Sequence, residues 1–226
     1  MILEELKRAA AVRAVDEIRS GMVVGLGSGS TAEFAVEELG RRVESGLAVV
    51  GVPSSERTRA LAEKFRIPLA PPNDWPRIDL TIDGADQVER GTLNLIKGLG
   101  GALLREKIVA SASARMIVVV DGSKIVDRLG GRTPLPVEIV PFGTARTLER
   151  LTALGLVPGL RQAAGKPFVT DGGNHIADCA IARIDDAPRL EAELSATVGV
   201  VETGLFLGLA STVVVGRAEG IEVMTR

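Results

Sequence analysis

The sequence predicts an α/β fold in which a mostly parallel sheet is covered by helices on both faces and joined to a smaller α+β unit. Three observations predict it. Short apolar runs alternate with helical segments up to Lys124, most of these runs are apolar at every position, and glycines and prolines interrupt the chain directly afterwards. Continuous apolar runs are typical of parallel strands that are buried on both faces.

The first helix is predicted by apolar residues at helical spacing from Leu3 to Ile18, and Gly21 ends it. The elements predicted after it are strands at 22–26, 47–52, 78–82, 93–96 and 116–120, and helices at 31–43, 56–65 and 102–113. Strands that alternate with helices in this way form βαβ units, which place the strands in parallel.

After Lys124 the predicted elements follow a βαββαβ order. The strands are expected at 137–140, 168–169, 176–181 and 198–201, and the helices at 145–154 and 188–195. Two later apolar runs, 205–209 and 212–215, are expected to rejoin the first sheet. The predicted domains are therefore 1–130 plus 205–226 for the main unit and 131–204 for the small one.

The composition of the 226 residues argues against several classes of function. Hydrophobic residues make up 46% and charged residues 25%, which is typical of a folded chain with a buried core. The net charge of −2 provides no basic field, so nucleic acid is not an expected partner. Cys179 is the only cysteine and His175 the only histidine. An internal disulfide is therefore impossible, and we expect a reducing compartment and no zinc site.

The first 20 residues carry charges among their apolar positions, so they lack the uninterrupted apolar segment of a signal peptide. No stretch of the sequence approaches the roughly 20 apolar residues of a membrane span. We therefore expect a soluble, cytoplasmic protein without a membrane partner.

A glycine-rich turn follows the first predicted strand and opens a helix: Gly25-Leu26-Gly27-Ser28-Gly29-Ser30-Thr31. Its N–H groups, its hydroxyls and the helix N-terminus are suited to hold a phosphate. The alternative is a tight turn in which Ser30 or Thr31 only caps the helix. The turn lacks the lysine of a P-loop and the Gly-x-Gly-x-x-Gly spacing of a dinucleotide site, so a nucleotide cofactor is not expected.

Acidic residues and a lysine follow at later strand ends. Asp83-Gly84-Ala85-Asp86 ends a predicted strand, where open α/β sheets place their ligands, although such acids are also ordinary turn formers. Lys97 opens a second bend, Gly98-Leu99-Gly100. Glu106 lies early in the next helix, where a charged residue often does no more than face solvent.

Three carboxylates and a lysine in one segment meet the needs of proton transfer beside a carbonyl. A carboxylate base removes the carbon-bound proton, and a cation stabilises the enediolate oxygen. A second acid moves protons between oxygens and opens a sugar ring. This aldose–ketose chemistry requires neither a redox cofactor nor a metal.

These motifs together resemble the type A ribose-5-phosphate isomerases. The resemblance runs nearly end to end and also includes Asp121-Gly122-Ser123-Lys124, Pro134-Leu135-Pro136-Val137-Glu138 and Thr170-Asp171-Gly172-Gly173-Asn174. It implies interconversion of D-ribose 5-phosphate and D-ribulose 5-phosphate in the non-oxidative pentose phosphate pathway. It also implies a doubly wound, Rossmann-like domain, a smaller ferredoxin-like domain, no cofactor, and a homodimer or homotetramer.

The resemblance also implies a role for each site residue. Glu106 matches the proton-accepting glutamate, and Lys97 the lysine that stabilises the enediolate oxygen. Asp83 and Asp86 match the acids near the sugar hydroxyls and ring oxygen, with Asp83 favoured as the proton shuttle and the division between them left open. The residues expected to bind substrate or its phosphate are Ser28, Gly29, Ser30, Thr31, Gly84, Ala85, Gly98, Leu99, Gly100 and Lys124.

Three positions, Ser28, Gln87 and Leu99, carry residues other than the family's common Thr, Glu and Gly, and none of them removes a proposed catalytic group. Other functions of the same architecture stay open. A sugar-phosphate deaminase or lactonase is expected to depend on histidine, and His175 lies far along the chain; a CoA transferase would use a glutamate nucleophile. A phosphosugar sensor needs a DNA-binding segment, which is not expected because the sequence starts with the helix before the first strand.

Overall fold

The computed structural model describes residues 3–71, 73–75 and 77–226. Its helices are α1 (Leu3–Val15), α2 (Ser30–Glu44), α3 (Glu56–Lys64), α4 (Leu103–Ser111), α5 (Thr144–Ala153) and α6 (Ala187–Ser195), with a 3-10 turn at Gly122–Lys124. Its strands are β1 (Val23–Leu26), β2 (Val50–Pro53), β3 (Leu80–Asp83), β4 (Gln87–Glu89), β5 (Leu95–Ile96), β6 (Met116–Asp121), β7 (Ile125–Val126), β8 (Leu135–Ile139), β9 (Val157–Leu160), β10 (Gln162–Ala163), β11 (Lys166–Pro167), β12 (His175–Ala180), β13 (Val200–Thr203), β14 (Leu205–Phe206), β15 (Thr212–Arg217) and β16 (Gly220–Thr225).

Six strands form the main sheet, in the order β2-β1-β3-β6-β15-β16. The first five are parallel, and β16 pairs antiparallel with β15. The prediction of a doubly wound, mostly parallel sheet is confirmed. The chain progresses from β1 to β2 on one side and from β3 onward on the other. Sheets of this kind bind ligands where the progression reverses, which here is beyond the carboxyl ends of β1 and β3.

Both faces of the main sheet are covered, as the central strand β6 shows. Ile117 and Val119 belong to the core that contains the buried residues of α1 and α2. Val118 and Val120 belong to the opposite core, with residues of α4 and the short strands β4, β5 and β14. Because successive residues of a strand point to opposite faces, a strand covered on both sides is apolar throughout.

The smaller unit is a four-stranded antiparallel sheet in the order β13-β8-β12-β9, built from the predicted βαββαβ pattern. Its second strand is β9, so the prediction of a strand at 168–169 was wrong. The strand that forms instead, Val157–Leu160, contains Pro158 and Gly159, two residues that usually interrupt a strand. They are tolerated because β9 is an edge strand. On such a strand every second N–H group faces away from the sheet, so a proline there removes no sheet hydrogen bond.

A third sheet, β14-β5-β4-β7, connects the two larger ones. Leu205–Phe206 pairs with β5 in this sheet, so the expectation that 205–209 rejoins the main sheet was wrong for that strand. Thr212–Arg217 does join the main sheet, beside β6. Strand β16, which was not predicted, extends it further.

Helix α1 packs directly on the returning strand β15. A Cβ atom added to Gly216 would lie 2.1 Å from the backbone carbonyl oxygen of Leu6, so only glycine allows this approach. The first helix is therefore held by a strand from the far end of the chain. Within the described ranges, no helix is both long enough and apolar enough to cross a membrane.

Candidate active site

The two loops at the reversal point lie against each other. A Cβ atom on Gly27, after β1, would lie 2.3 Å from Oδ1 of Asp83, at the end of β3, so this glycine is required by the contact. A cavity of about 100 Å³ opens beside them. It is lined by Lys7, Ser28, Gly29, Ser30, Thr31, Gly84, Ala85, Asp86, Lys97, Gly98, Gly100, Glu106 and Lys124.

A buried lysine lies between two buried carboxylates on one side of this cavity. The Nζ atom of Lys97 is 3.1 Å from Oδ2 of Asp83 and 3.2 Å from Oε1 of Glu106. It also donates a hydrogen bond of 2.6 Å to the carbonyl of Gly84. The second oxygen of Glu106, Oε2, is buried and has no hydrogen-bond partner within the described residues. Together with Asp86, Lys97 and Glu106 form what we call the acid end of the cavity.

Local structure explains why these groups meet. Lys97 follows β5, and Gly98 has a φ of 108°, a left-handed conformation that favours glycine and turns the chain toward α4. Glu106 lies in the first turn of α4, on its buried side. Asp83 is fixed by its Oδ1 atom, which accepts hydrogen bonds from the backbone N–H groups of Ser28 (2.9 Å) and Gly84 (2.7 Å).

Burial and charge perturb all three groups of the cluster. Burial raises the pKa of Glu106 to about 8; nearby Lys97 opposes this rise, and the charge of Asp83 adds to it. Burial also raises the pKa of Asp83, against the attraction of Lys97 and two backbone donors. The two carboxylates hold the pKa of Lys97 above its usual range, although burial alone would lower it. Lys97 is therefore a permanent cation, and Glu106 is the carboxylate closest to exchanging a proton near neutral pH.

The other side of the cavity, which we call the anion end, consists of residues 29–31, Lys7 and Lys124. Gly29 precedes α2 with a φ of 96°, and no side chain among residues 3–71, 73–75 and 77–226 caps the helix. The first backbone bond of the helix runs from Glu33 N–H to Gly29, so the N–H groups before it have no partner in the helix. Free N–H groups at a helix N-terminus together with two lysines favour a bound anion.

The predicted residues are brought together, but not all in the predicted way. Asp86 lines the cavity and its Oδ2 atom accepts a hydrogen bond of 2.9 Å from the N–H of Leu99. Leu99 contributes this N–H while its side chain points outward, 43% exposed. Asp83 lies behind Lys97 and is not among the lining residues. Gln87 exchanges hydrogen bonds of 2.7 and 2.8 Å with the backbone of Gly130, which the acceptor-only carboxylate of a glutamate could not do.

Ser28 is placed differently from the expectation. Its hydroxyl lies within hydrogen-bond distance of three others, those of Ser54, Ser55 and Thr58, at 3.0, 2.8 and 3.1 Å. This hydroxyl is therefore engaged inside the protein, at the start of α3. The expected alternative in which Ser30 or Thr31 caps α2 is also not observed, since the cap residue is Gly29.

Lys7 is a cavity residue that the sequence reasoning missed. Its Nζ atom donates a hydrogen bond of 2.9 Å to the hydroxyl of Ser30. A signal was present in the sequence. Lys7 precedes Ala10 and Ala11 by three and four residues, and both are buried, so a lysine falls on the packed face of α1.

A buried lysine between carboxylates at one end and an uncapped helix N-terminus with two lysines at the other are suited to an enzyme that transfers protons on a small anionic substrate. The reversal point of a doubly wound sheet is a common place for such a site.

Comparison with known proteins identifies the family. The sequence profile of ribose 5-phosphate isomerase A (phosphoriboisomerase A) matches residues 50–220. The chain is 54% identical over 225 residues to ribose-5-phosphate isomerase A of Gloeobacter violaceus, covering 100% of this chain and 98% of the relative. It is 56% identical over 230 residues to the protein of the same name from Rhodopseudomonas palustris, covering 99% and 98%.

Solved structures agree with this result. Ribose 5-phosphate isomerase A from Methanocaldococcus jannaschii superposes with a TM-score of 0.95 at 39% identity, over 100% of both chains. A D-ribose-5-phosphate isomerase in complex with phospho-erythronic acid superposes with a TM-score of 0.96 at 38% identity, again over 100% of both chains. The chain belongs to the ribose 5-phosphate isomerase A family.

Proposed function

We propose that the chain interconverts D-ribose 5-phosphate and D-ribulose 5-phosphate, with Glu106 as the base and Lys97 as the cation that stabilises the enediolate. The observation that carries these roles is the contact of buried Lys97 with Asp83 and Glu106 beside the uncapped start of α2. The lining of the cavity, with lysines and a helix N-terminus at one end and carboxylates at the other, supports a small phosphosugar as the substrate.

The two ends of the cavity would orient the substrate. The phosphate binds at the anion end, where backbone N–H groups, Lys7 and Lys124 supply donors and positive charge. The C1–C2 end of the open-chain sugar then lies at the acid end, against Glu106 and Lys97. This fixed orientation holds the reacting carbon next to the base, so the proton transfer proceeds as an intramolecular step within the complex.

Glu106 in its ionised form removes the C2 proton of the aldose and returns it to C1. Its Oε2 atom, which has no hydrogen-bond partner in the part of the chain that the structure describes, is the oxygen available for this transfer. A raised pKa makes the carboxylate a stronger base, which suits it to take a proton from carbon. Lys97 stabilises the negative charge that develops on oxygen, and the hydroxyl proton at O2 passes to O1 to complete the enediol exchange.

We assign the two aspartates different tasks. Asp86 lines the cavity and accepts a hydrogen bond from the Leu99 N–H, which supports a role for it at the ring oxygen and in moving protons between oxygens. Asp83 has one oxygen on two backbone donors and the other on Lys97, so it orients the lysine. This assignment reverses the preference for Asp83 as the shuttle.

Asp83→Asn should then lower kcat on open-chain and ring substrate alike, whereas Asp86→Asn should slow ring opening most.

The deciding assay follows ribulose 5-phosphate formation from ribose 5-phosphate by the purified protein. Run in D₂O, the same reaction should place deuterium at C1 of the ketose, because the proton on Glu106 exchanges with solvent during the enediol's lifetime. Activity is expected to survive EDTA, since Lys97 provides the cation that the chemistry needs. Tight binding of ribose 5-phosphate without turnover would contradict the proposal and favour a sensor.

We also propose a cytoplasmic homodimer or homotetramer with main domain 1–130 plus 205–226 and small domain 131–204. Assembly is supported by apolar side chains left in solvent on the small unit, among them Phe142 at 94% and Val198 at 73% exposed. Light scattering after size-exclusion chromatography measures the assembly, and a single species of monomer mass would contradict it.

A further inference from the structure

The bend at residues 98–101, between Lys97 and α4, is held by a side chain from the small unit. Arg161 directly follows β9, and its Nη1 atom donates hydrogen bonds of 3.0 Å to the carbonyl of Gly98 and 3.0 Å to the carbonyl of Leu99. Two bonds within the main domain also hold the bend: Gly101 N–H donates to the same Gly98 carbonyl at 3.0 Å, and Leu99 N–H donates to Oδ2 of Asp86 at 2.9 Å. The guanidinium thus binds two successive carbonyls of the segment that forms the acid end.

Arg161 is itself held in place. Its Nε atom donates a hydrogen bond of 2.8 Å to Asp178 on β12, and its Nη2 atom binds the second oxygen of the same carboxylate. The side chain is only 13% exposed. The ring of Phe168 lies 5.7 Å from the guanidinium and packs so closely on Gly101 that a Cβ there would be 2.5 Å from the ring. One edge of the small unit therefore clamps both ends of the bend.

The bend sets the position of three site groups at once. Lys97 directly precedes the bend, the N–H of Leu99 within the bend binds Asp86, and α4, which carries Glu106, follows the bend. Gly98 and Gly101 both have positive φ, at 108° and 85°. Such a glycine-rich segment has many accessible conformations when nothing fixes it. A contact that fixes its carbonyls therefore fixes the spacing between base, cation and acid.

We propose that Arg161, oriented by Asp178, is a positioning residue for the isomerisation, through which the small unit holds the acid end in its reactive geometry. Arginine carries donors on three nitrogens of one rigid plane, so Nε and Nη2 can bind the Asp178 carboxylate while Nη1 binds the two carbonyls, and lysine cannot do both. The inference rests on the roles proposed above for Lys97, Asp86 and Glu106.

The test compares Arg161→Met, Arg161→Lys and Asp178→Asn with the control Arg146→Met, whose arginine pairs with Glu149 on the exposed face of α5. Misplacement of catalytic groups by about 1 Å can cost roughly 100-fold in rate. We therefore expect kcat to fall about 10- to 100-fold in Arg161→Met, with smaller losses in Arg161→Lys and Asp178→Asn. The control should keep wild-type kcat, and KM should change less than kcat in every variant.

A double variant with Asp86→Asn separates positioning from general destabilisation. Both changes act through the Leu99 segment, so their combined loss in kcat should be smaller than the product of the single losses. Losses that multiply, or a folded Arg161→Met with unchanged kcat and a lower Tm, would show that the contact is only structural. If Arg161→Met does not fold, Arg161→Lys decides by the same criteria. Full activity of Asp86→Asn alone would contradict the role of Asp86 instead, and the kcat of the single Arg161 variants then decides the inference.

Discussion

The acid end and the anion end of the cavity differ in how exposed their charged groups are. At the acid end, the side chains of Lys97 and Glu106 are 3% and 5% exposed, and their charges are compensated within the protein. At the anion end, Lys7 and Lys124 remain partly exposed, and the remaining donors are backbone N–H groups of α2. Buried charges interact strongly, whereas exposed ones are screened by water and salt.

This difference separates chemistry from binding. At the acid end the charged groups are buried, and water cannot take over the role of a group that is removed. A substitution there should therefore change kcat and the pKa values of the remaining groups. A change at the anion end removes one of several exposed contacts to a phosphate that does not react, so it should appear in KM and depend on salt. Variants at each end of the cavity test this division.

Glu106→Gln should lower kcat by about 10³-fold, within the range typical of a general base, because the amide keeps the shape but cannot take a proton. Ribose 5-phosphate should still bind, as measured by calorimetry. A variant that retains full kcat would remove Glu106 as the base.

Lys97→Met should lower kcat by about 10²-fold, since it removes the cation beside the developing oxyanion. The acidic limb of the pH–rate profile should also move to higher pH, because Lys97 lowers the pKa of Glu106. Lys64→Met, on the exposed end of α3, is a suitable control. If the limb stays in place, Lys97 and Glu106 do not interact as described.

The pH dependence of kcat/KM should show an acidic limb near the pKa of about 8 that burial gives Glu106 in the free enzyme. Its folded-state pKa lies above the ordinary 4.5, so the carboxyl is mostly protonated at pH 6 and mostly ionised at pH 9. Below the limb, kcat/KM should therefore fall about tenfold for each unit of decreasing pH. A profile that is flat from pH 5 to pH 9 would contradict the perturbed glutamate.

Lys7→Ala and Lys124→Ala should each raise KM about tenfold with little change in kcat, and raising ionic strength should weaken wild-type binding in the same way. The matched comparison is the effect of salt on kcat, which should be small because the acid end is buried. A loss confined to kcat in either variant would contradict the assignment of binding to the anion end and chemistry to the acid end.

Ser28→Ala should have the smallest effect on KM, less than Ser30→Ala. The Ser28 hydroxyl is engaged with Ser54, Ser55 and Thr58, so its loss should instead lower the free energy of unfolding by about 1 kcal/mol. Denaturant unfolding and steady-state kinetics of the two variants measure this contrast. If Ser28→Ala raises KM strongly and Ser30→Ala does not, the Ser28 hydroxyl contacts the phosphate, as the resemblance implied.

The sequence was informative where local pattern and tertiary structure agree. The parallel strands were predicted because burial on both faces requires continuous apolar runs, as in β6. Strand β9 was not, since Pro158 and Gly159 act as breakers except at a sheet edge, and no local signal marks an edge. The acids and the lysine of the acid end were found by type and spacing. Their burial, which sets the pKa of Glu106, depends on packing that joins distant segments.

The positions of single side chains were less predictable than their presence near the site. Ser28 and Asp83 are beside the cavity, but the hydroxyl of one and the carboxylate of the other are used for internal bonds. Lys7 reaches the site because α1 packs on β6 and β15 next to α2, and Arg161 reaches the bend because it directly follows β9. These placements are consequences of topology, and the residue pattern around each of them is ordinary.

The contact of α1 with β15 has a consequence for the order in which the chain folds. During synthesis, the segments of the acid end emerge well before Gly216, the strand position on which the backbone of Leu6 rests. Until β15 has inserted beside β6, the first helix lacks one of the three elements against which it mainly packs, and such long-range contacts form slowly. Lys7 should therefore be among the last residues to reach its place. A nascent chain released before β15 would carry every acid-end residue and still bind phosphate poorly.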